Sequence, residues 1–194
     1  MTDGIWGLVL AAGAGRRFGG PKALARTPEG VPWTALSVRM LEAAGCARVL
    51  VVLGAEADAA RALVPSSAEV VVADGWAEGM GASLAAGLAA ASTASAVLVT
   101  LVDLPGLPVE AALRVIGSDP GPGSLRRTVY HGRPGHPVLI GTQHLAGLAA
   151  SLAGDRGGRD HLAAAGVAEV ECGDLFSGAD QDERRDGGSS PSSR

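Results

Sequence analysis

Short, continuously apolar runs alternate with alanine-rich stretches of helical periodicity along most of this 194-residue chain. The apolar runs include IWGLVLA at 5–11, RVLVVL at 48–53 and AVLVTL at 96–101. Apolar residues at every position are typical of strands that are buried on both faces, as in the centre of a parallel sheet. Strands and helices that alternate at this spacing predict an α/β domain built on a doubly wound, mainly parallel sheet in three layers.

The later part of the chain predicts a hairpin, a final strand and a tail. RRTVYHG and GHPVLIG favour two strands joined by a Gly-Arg-Pro-Gly turn at 132–135, and VAEVEC at 167–172 favours the last strand. The chain end, RRDGGSSPSSR, combines glycine, serine, proline and charge with nothing to bury. We therefore expect one domain over residues 1–185 and a disordered tail over residues 186–194.

Composition narrows the environment and the partners. Aromatic residues make up only 3% of the chain, so we expect a core of alanine, valine and leucine. A net charge of -4 provides no broad basic surface for nucleic acid. Cys46 and Cys172 form no C-x-x-C pair, which favours free thiols in the cytoplasm. No basic residue precedes the short first apolar run, and no apolar stretch is long enough to span a bilayer, so we predict neither a secretory signal nor a membrane helix.

The stretch LAAGAGRRFGGPK, at 10–22, follows the first predicted strand directly and contains four glycines. Glycine lets backbone N–H groups approach an anion without interference from a Cβ atom. Arg16, Arg17 and Lys22 add forked and compact positive charges to the same stretch. Backbone donors and cations immediately after a buried strand favour a polyphosphate site, and a flexible connection is the alternative.

Two common phosphate-binding patterns do not fit this stretch. The dinucleotide pattern G-x-G-x-x-G would start at Gly13 and meet Phe18 at its last position, and no acid ends the second strand. The pattern G-x-x-x-x-G-K-[ST] would start at Gly15 and meet Pro21 where lysine is needed. Phe18 and the missing strand-end acid disfavour an NAD(P)-binding oxidoreductase, a hypothesis that nicotinamide binding would restore.

An aspartate follows the buried run in VLVTLVDLPGLP. Asp103 is expected at the carboxyl edge of the sheet, where open α/β folds bind their ligands. Mg²⁺ prefers oxygen ligands and is often held by one or two carboxylates together with substrate phosphates. Metal binding is therefore one interpretation of Asp103, and an N-cap for the following helix is the other.

Together these motifs resemble the MobA-like NTP transferase family, most closely its molybdenum cofactor cytidylyltransferases. The family pattern L-A-A-G-x-[SG]-x-R-x-G-x-x-K is matched at Leu10, Ala11, Ala12, Gly13, Gly15, Arg17, Gly19 and Lys22. The resemblance implies a Rossmann-like nucleotidyltransferase fold, as in nucleotide-diphospho-sugar transferases. It also implies that this loop, including Arg16, wraps the phosphates of an NTP, and that Arg17, Lys22 and Asp103 are the catalytic residues.

Three further segments resemble parts of the same family. WAEGMGASLAAGL is similar to the family's E-G-M-x-x-S-L-x-x-G segment, which implies that Gly79, Met80 and Ser83 bind the base and ribose. GRPGHPV implies an acceptor-binding role for His136, and GDRGGR implies that Arg159 holds the acceptor's phosphate. Taken alone, these segments also suit a glycine-rich helix start, a structural histidine and a polar turn.

The late acidic segment of the family, which supplies its second metal carboxylate, is incomplete in this chain. The family's D-I-D-T-P-E-D corresponds to SGADQDERRD, which aligns Asp180 with the second aspartate and Glu183 with the glutamate. The first aspartate and the Thr-Pro pair are absent. The resemblance implies an Mg²⁺ ion held by Asp103 and Asp180, with Asp182 as a competing ligand.

The resemblance implies an Mg²⁺-dependent enzyme that transfers NMP from an NTP to a phosphate-bearing acceptor and releases pyrophosphate. The most specific expectation is CTP as donor, a molybdopterin cofactor as acceptor, and a molybdoenzyme or its chaperone as recipient of the product. A guanylyltransferase for the same cofactor and a sugar-phosphate nucleotidyltransferase are alternatives. A protein that binds nucleotide or cofactor without turnover is an alternative of another class, which the incomplete acidic segment favours.

Overall fold

A computed structural model of the protein describes residues 4–152 and 158–181. The strands are β1 (Ile5–Ala11), β2 (Arg48–Leu53), β3 (Glu69–Val72), β4 (Ala96–Leu101), β5 (Leu125–Tyr130), β6 (Arg133–Gly141) and β7 (Ala168–Glu171). The α-helices are α1 (Trp33–Ala43), α2 (Ala57–Arg61), α3 (Met80–Ala90), α4 (Val109–Ile116), α5 (Thr142–Ser151) and α6 (Arg159–Ala164). Short 3-10 helices span Lys22–Leu24 and Trp76–Glu78. None of the described helices has the length and apolar character needed to cross a membrane.

The seven strands form one sheet in the order β3-β2-β1-β4-β6-β5-β7. The first four strands are parallel to one another, β6 is antiparallel to both β4 and β5, and β7 is parallel to β5. The chain proceeds outward from β1 to β3 and then returns to add β4 on the other side of β1. The carboxyl ends of β1 and β4 therefore lie side by side at a switch point, the place where open α/β sheets bind ligands.

Helices cover both faces of the sheet and complete three layers. On one face, Val9, Val51 and Leu98 pack with buried residues of α1 and α4. On the other face, Leu50 and Val97 pack with buried residues of α3, α5 and α6. Successive strand residues point to opposite faces, so a continuously apolar strand supplies both layers of the core. The predicted three-layer α/β fold is confirmed.

The hairpin between β5 and β6 turns earlier than the sequence predicts. Its two turn residues are His131 and Gly132, with φ angles of +52° and +75°, and the Gly-Arg-Pro-Gly turn predicted at 132–135 is wrong. A two-residue hairpin turn of type I′ requires positive φ at both positions, which the proline ring excludes. Consequently β6 begins at Arg133, and Pro134 is a strand residue.

One predicted helix ends earlier than the sequence indicates, and the predicted tail lies outside the described residues. AEADAARALV, at 55–64, predicts a helix that stops before Pro65, but α2 already ends at Arg61, because the N–H groups of Leu63 and Val64 bond three residues back and tighten the last turn. The predicted tail at 186–194 lies outside the described residues.

Gly87→Ala should destabilise the fold, because Gly87 lies where α3 crosses the sheet. A Cβ atom there would be 2.7 Å from Leu8 Cδ1 and 2.8 Å from Val52 Cγ2, both in buried strands. Overpacking outweighs the better helix propensity of alanine, so we expect a net loss of about 1–2 kcal/mol in the free energy of unfolding, measured with urea. Gly121→Ala, with open space at its Cβ position, is the control, and equal stability of the two variants would contradict this packing.

Candidate nucleotide site and adjoining cavity

The glycine-rich loop and Asp103 leave the sheet together at the β1–β4 switch point. Leu10 of β1 pairs with Leu101 of β4, so the two strands end at the same level. The loop at 12–21 follows β1, and Asp103 follows β4 by two residues. Segments that are far apart in sequence therefore meet at one edge of the sheet.

The glycine loop, residues 12–21, is closed by its own backbone. The Gly20 N–H donates a hydrogen bond of 3.1 Å to the Gly15 carbonyl oxygen. Gly15 has a φ of +57°, and a Cβ atom there would lie 1.9 Å from the Gly20 oxygen. Phe18 is buried at the centre of the loop, with its ring centroid 5.3 Å from that of Trp33. This aromatic contact anchors the loop on the first residue of α1.

Lys22 and Asp103 form an ion pair next to the loop. The Lys22 Nζ atom lies 2.9 Å from Asp103 Oδ2, and their side chains are 14% and 17% exposed. The other carboxylate oxygen, Oδ1, is buried and accepts no hydrogen bond from the described residues. Asp103 does not cap the following helix, because the N-cap position of α4 is Pro108. Buried carboxylate oxygens in proteins almost always have a hydrogen-bond donor or a cation as partner, so the unpartnered Oδ1 atom indicates a missing cation or ligand.

The segment after β7 returns to the same edge. The Gln181 N–H donates a hydrogen bond of 3.0 Å to the Asp103 carbonyl oxygen, which makes Asp180 the neighbour of a residue bound to Asp103. Within residues 4–152 and 158–181, no group of three or more His, Cys, Asp or Glu side chains could hold a metal ion. Two carboxylates with substrate phosphates are nevertheless a common Mg²⁺ ligand set, and the unpartnered oxygen of Asp103 fits such a set. Asp182 and Glu183 lie outside the described residues.

A cavity of about 680 Å³ adjoins this edge, between the sheet and α3, α5 and α6. Its volume lies within the range of about 300–1,000 Å³ that is typical of small-molecule sites. Among the described residues, its aliphatic wall includes Leu10, Leu84, Val99, Leu101, Val138 and Ile140. Its charged and imidazole side chains are Arg127, His136, Arg159, Asp160 and Asp180. The cavity therefore suits a largely apolar ligand with a few polar groups.

His136 of β6 lies half-buried in the cavity wall. Desolvation, and to a smaller extent the positive charge of Arg159, lowers the pKa of His136 to about 4. The imidazole is therefore neutral near pH 7 and has one donor and one acceptor nitrogen. The Tyr130 hydroxyl donates a hydrogen bond of 2.6 Å to the His136 carbonyl oxygen, which holds the strand at this position.

Glu171, the last residue of β7, fastens the tip of the β5–β6 hairpin. Its carboxylate accepts hydrogen bonds from the N–H groups of His131, Gly132 and Gly173, at 3.0, 3.3 and 2.7 Å. These backbone donors, that of His131 first, lower the pKa of Glu171. Because His136 follows the tip on β6, this carboxylate helps to hold one wall of the cavity.

The structure brings most of the predicted site residues to this edge. The predicted residues that line the cavity are Leu10, Met80, His136, Arg159 and Asp180. Those exposed in the glycine loop are Gly13, Arg16, Arg17 and Gly19. Ala11 and Ala12 are buried where β1 ends. Ser83, the fourth residue of α3, is also buried, and Gly79 occupies the N-cap position of that helix. The part of the GDRGGR segment at 154–157 lies outside the described residues.

Two residues of the site belong to no motif in the sequence. Arg127 of β5 lines the cavity, although in the sequence it is only one of two arginines in a predicted strand. Strand alternation could have separated the two arginines, because adjacent strand residues such as Arg126 and Arg127 must point to opposite faces of the sheet. In the sequence, Phe18 is noticed only because it does not fit the dinucleotide pattern. An apolar side chain among glycines and arginines could have indicated a residue that packs into the core and holds the loop in place, as the contact of Phe18 with Trp33 does.

Gly15→Ala should open the glycine loop, because the new Cβ atom would collide with the Gly20 oxygen. We expect amide hydrogen exchange at Gly20 to accelerate by about tenfold or more, since its hydrogen bond to Gly15 is lost. Gly13→Ala is the matched control, because no atom lies within 4 Å of its Cβ position. The same exchange rate in both variants would contradict the closed loop.

Burial of His136 should make the protein less stable as the pH falls from 6.5 towards 4. In this range the unfolded imidazole takes up a proton that the folded imidazole does not, so protonation favours unfolding. Between pH 7 and pH 5, the unfolding free energy of the wild type should fall by about 1–2 kcal/mol more than that of His136→Gln. Urea unfolding at both pH values measures this difference, and parallel losses in the two proteins would contradict it.

Two known proteins, one of them in two crystal structures, resemble this chain over most of its length. The nicotine blue oxidoreductase of Paenarthrobacter nicotinovorans is 37% identical over 190 residues, which cover 92% of each protein. The crystal structure of Rv0371c from Mycobacterium tuberculosis H37Rv superimposes with a TM-score of 0.74 at 29% identity, covering 89% of each chain. Rv0371C in complex with manganese, from the same organism, gives a TM-score of 0.69 at 25% identity, covering 87% of this chain and 88% of that one.

A family model matches most of the chain. The model describes a MobA-like NTP transferase domain and matches residues 7–170, which include the glycine loop, Asp103 and both cavity residues His136 and Arg159. The resemblance noted in the sequence is thereby confirmed at the level of the family. The chain belongs to the MobA-like NTP transferase family and is a nucleotidyltransferase of that family.

Proposed function

We propose that this protein is an Mg²⁺-dependent cytidylyltransferase that transfers CMP from CTP to a molybdopterin cofactor and releases pyrophosphate. The observation that carries the proposal is the ion pair of Lys22 and Asp103, 2.9 Å apart at the β1–β4 switch point beside the glycine loop. A cation suited to phosphates and a carboxylate suited to a metal thus share the edge where such folds bind ligands. The choice of CTP and of molybdopterin rests on the resemblance of the GRPGHPV and GDRGGR segments.

The glycine loop binds the triphosphate of the nucleotide. Gly13 and Gly19 are exposed, and no atom lies within 4 Å of their Cβ positions, so phosphates have access to the backbone N–H groups. Arg16 and Arg17 are exposed in the same loop, and Lys22 follows it. These charges stabilise the negative charge that develops on the departing pyrophosphate. Met80 and Ser83 of α3 are the candidates for contact with the nucleoside.

Asp103 and Asp180 are the residues that hold Mg²⁺ in this proposal. The buried Oδ1 atom of Asp103 accepts no hydrogen bond from the described residues, which supports a cation as its partner. A bound divalent ion supplies neutralisation of the phosphate oxygens during transfer. The manganese complex of Rv0371C supports a divalent cation in this fold.

The cavity receives the acceptor, whose phosphate attacks the α-phosphorus of CTP in line. A bond forms between an acceptor phosphate oxygen and the α-phosphorus, the bond to the bridging oxygen of the β-phosphate breaks, and its electron pair leaves with pyrophosphate. The attacking oxygen is already ionised, so no general base is required. Neutral His136 hydrogen-bonds the acceptor, and Arg159 supplies positive charge for its phosphate. Catalysis rests mainly on positioning and electrostatic stabilisation.

The two free cysteines support a cytoplasmic setting for the proposed enzyme. Cys46 and Cys172 form no disulfide, which supports a reducing compartment, the cytoplasm. The dinucleotide form of the cofactor is then delivered to a molybdoenzyme or to its chaperone.

A redox function is the second candidate. The observation that favours it is the 37% identity to a protein that is named nicotine blue oxidoreductase. The mainly aliphatic cavity is also compatible with a planar heterocyclic substrate. In this alternative a nicotinamide dinucleotide binds at the nucleotide site, and CTP is not turned over.

Asp103→Asn should abolish Mg²⁺-dependent stabilisation by CTP. In the wild type, CTP at about 100 times its Kd should raise the free energy of unfolding by about 2.7 kcal/mol, which thermal denaturation detects. Asp174→Asn is the matched control, because it also breaks a carboxylate–cation pair, 2.6 Å from Arg114, but outside the site. Pyrophosphate release from CTP and molybdopterin should fall by about 100-fold or more in Asp103→Asn only.

The same assay with GTP, ATP and NAD separates the alternatives. Stabilisation by GTP in place of CTP would favour a guanylyltransferase, and stabilisation by NAD alone would favour the redox function. Binding of CTP without pyrophosphate release would favour a protein that carries nucleotide or cofactor without turnover. A protein that responds to no NTP would contradict the proposed function.

A further inference from the structure

A largely buried guanidinium in the cavity wall has an unused hydrogen-bond donor. Arg127 of β5 lines the cavity, and its side chain is only 14% exposed. Its Nη2 atom lies 2.5 Å from Glu169 Oε1 on β7. Its Nε–H group is buried and has no acceptor among the described residues. Buried donors in proteins are almost always satisfied, so an unpaired one on a side chain that lines a cavity indicates a missing acceptor.

The register of the strands locates Arg127 away from the reacting end of the site. Arg127 pairs with Val138 on β6, and Val138 pairs with Val99 on β4. Asp103 lies beyond the carboxyl end of β4, and His136 is two residues closer to that end than Val138. An acceptor whose phosphate lies near Asp103 therefore presents its opposite end to Arg127.

The surroundings of Arg127 define the group that it can bind. Glu169 already supplies one negative charge to the guanidinium, and this carboxylate is 50% exposed on the edge strand β7. A second anion at Nε would compete with Glu169, whereas a neutral carbonyl oxygen would not. The neighbouring wall residues Val99, Val138 and Ile140 are aliphatic and suit the faces of a planar ring.

We propose that Arg127 is a specificity-determining residue whose Nε–H donates a hydrogen bond to a ring carbonyl oxygen at the end of the acceptor remote from its phosphate. The inference rests on the proposed function, because that function assigns the cavity to the acceptor. It makes the cavity selective for oxo-substituted heterocycles over amino-substituted analogues of the same shape. An analogue with an amino group at that point offers a donor to a donor and leaves Nε unsatisfied.

Two pteridines that differ at this group and in the proton on the adjacent ring nitrogen N3 test the proposal. Pterin carries a 4-oxo group, and 2,4-diaminopteridine carries an amino group in its place. At about pH 7, where both pteridines are mainly neutral, wild-type protein should bind pterin about tenfold or more tightly than the diamino analogue, measured by quenching of pteridine fluorescence. Arg127→Met should lose this preference, mainly through weaker pterin binding, and should keep its affinity for CTP within about twofold.

Two further variants keep the test decisive. Arg127→Lys retains the positive charge for Glu169 but lacks the Nε–H donor, so it should also lose the preference even where the methionine variant folds poorly. Arg126→Met removes the same side chain from the opposite face of β5, where Arg126 bonds the Val115 and Asp119 carbonyl oxygens, and it should keep the preference.

The pteridine measurement tests the role of Arg127, and the CTP turnover assay tests the proposed function, so either claim can be refuted without the other. An equal preference in wild type and Arg127→Met, or a wild type that binds neither pteridine or both equally, would overturn the role of Arg127. Loss of the preference in Arg127→Met and Arg127→Lys, with retention in Arg126→Met, would establish it. A wild type that discriminates the pteridines but releases no pyrophosphate from CTP would refute the proposed function and leave the role of Arg127 standing.

Discussion

The site depends on one constraint, the parallel pairing of β1 with β4. The two strands end together, so Lys22 and Asp103 meet although 81 positions separate them in sequence. Both charges are largely withdrawn from water, where each would be costly to bury without the other. The ion pair therefore joins the glycine loop to the acidic edge, and every other group of the site is arranged around it.

The reversed direction of β6 brings the second half of the chain to the same edge. Because β6 is antiparallel to β4, its first half, which contains His136, lies beside the carboxyl end of β4. Glu171 fastens the hairpin tip, and the segment after β7 reaches Asp103 through the Gln181 N–H. One continuous edge thus has a loop suited to phosphates on one side and a cavity suited to an apolar acceptor on the other.

Features that depend on local composition could be predicted from the sequence, and features that depend on register could not. The continuously apolar strands and the glycine loop carry their own signals, and the structure confirms the fold that they indicate. The hairpin turn was predicted wrongly because His131 adopts a positive φ that its residue type does not announce. The position of Arg127 in the site could not be predicted, because its burial follows from the pairing of β5 with β6 and β7. The individual roles of Arg17, Lys22 and the other site residues stay predictions.

The anchoring of Phe18 has an energetic consequence for the loop. Ten residues lie between β1 and the 3-10 helix at Lys22, and ordering a free chain costs about 1–2 kcal/mol of backbone entropy per residue. The packing of Phe18 on Trp33 and the hydrogen bond between Gly20 and Gly15 order this stretch when the protein folds. A ligand therefore meets a preorganised surface and loses little of its contact energy to immobilising the chain. Packing and one backbone hydrogen bond thus hold a glycine-rich loop, which would be highly flexible on its own, in a single conformation.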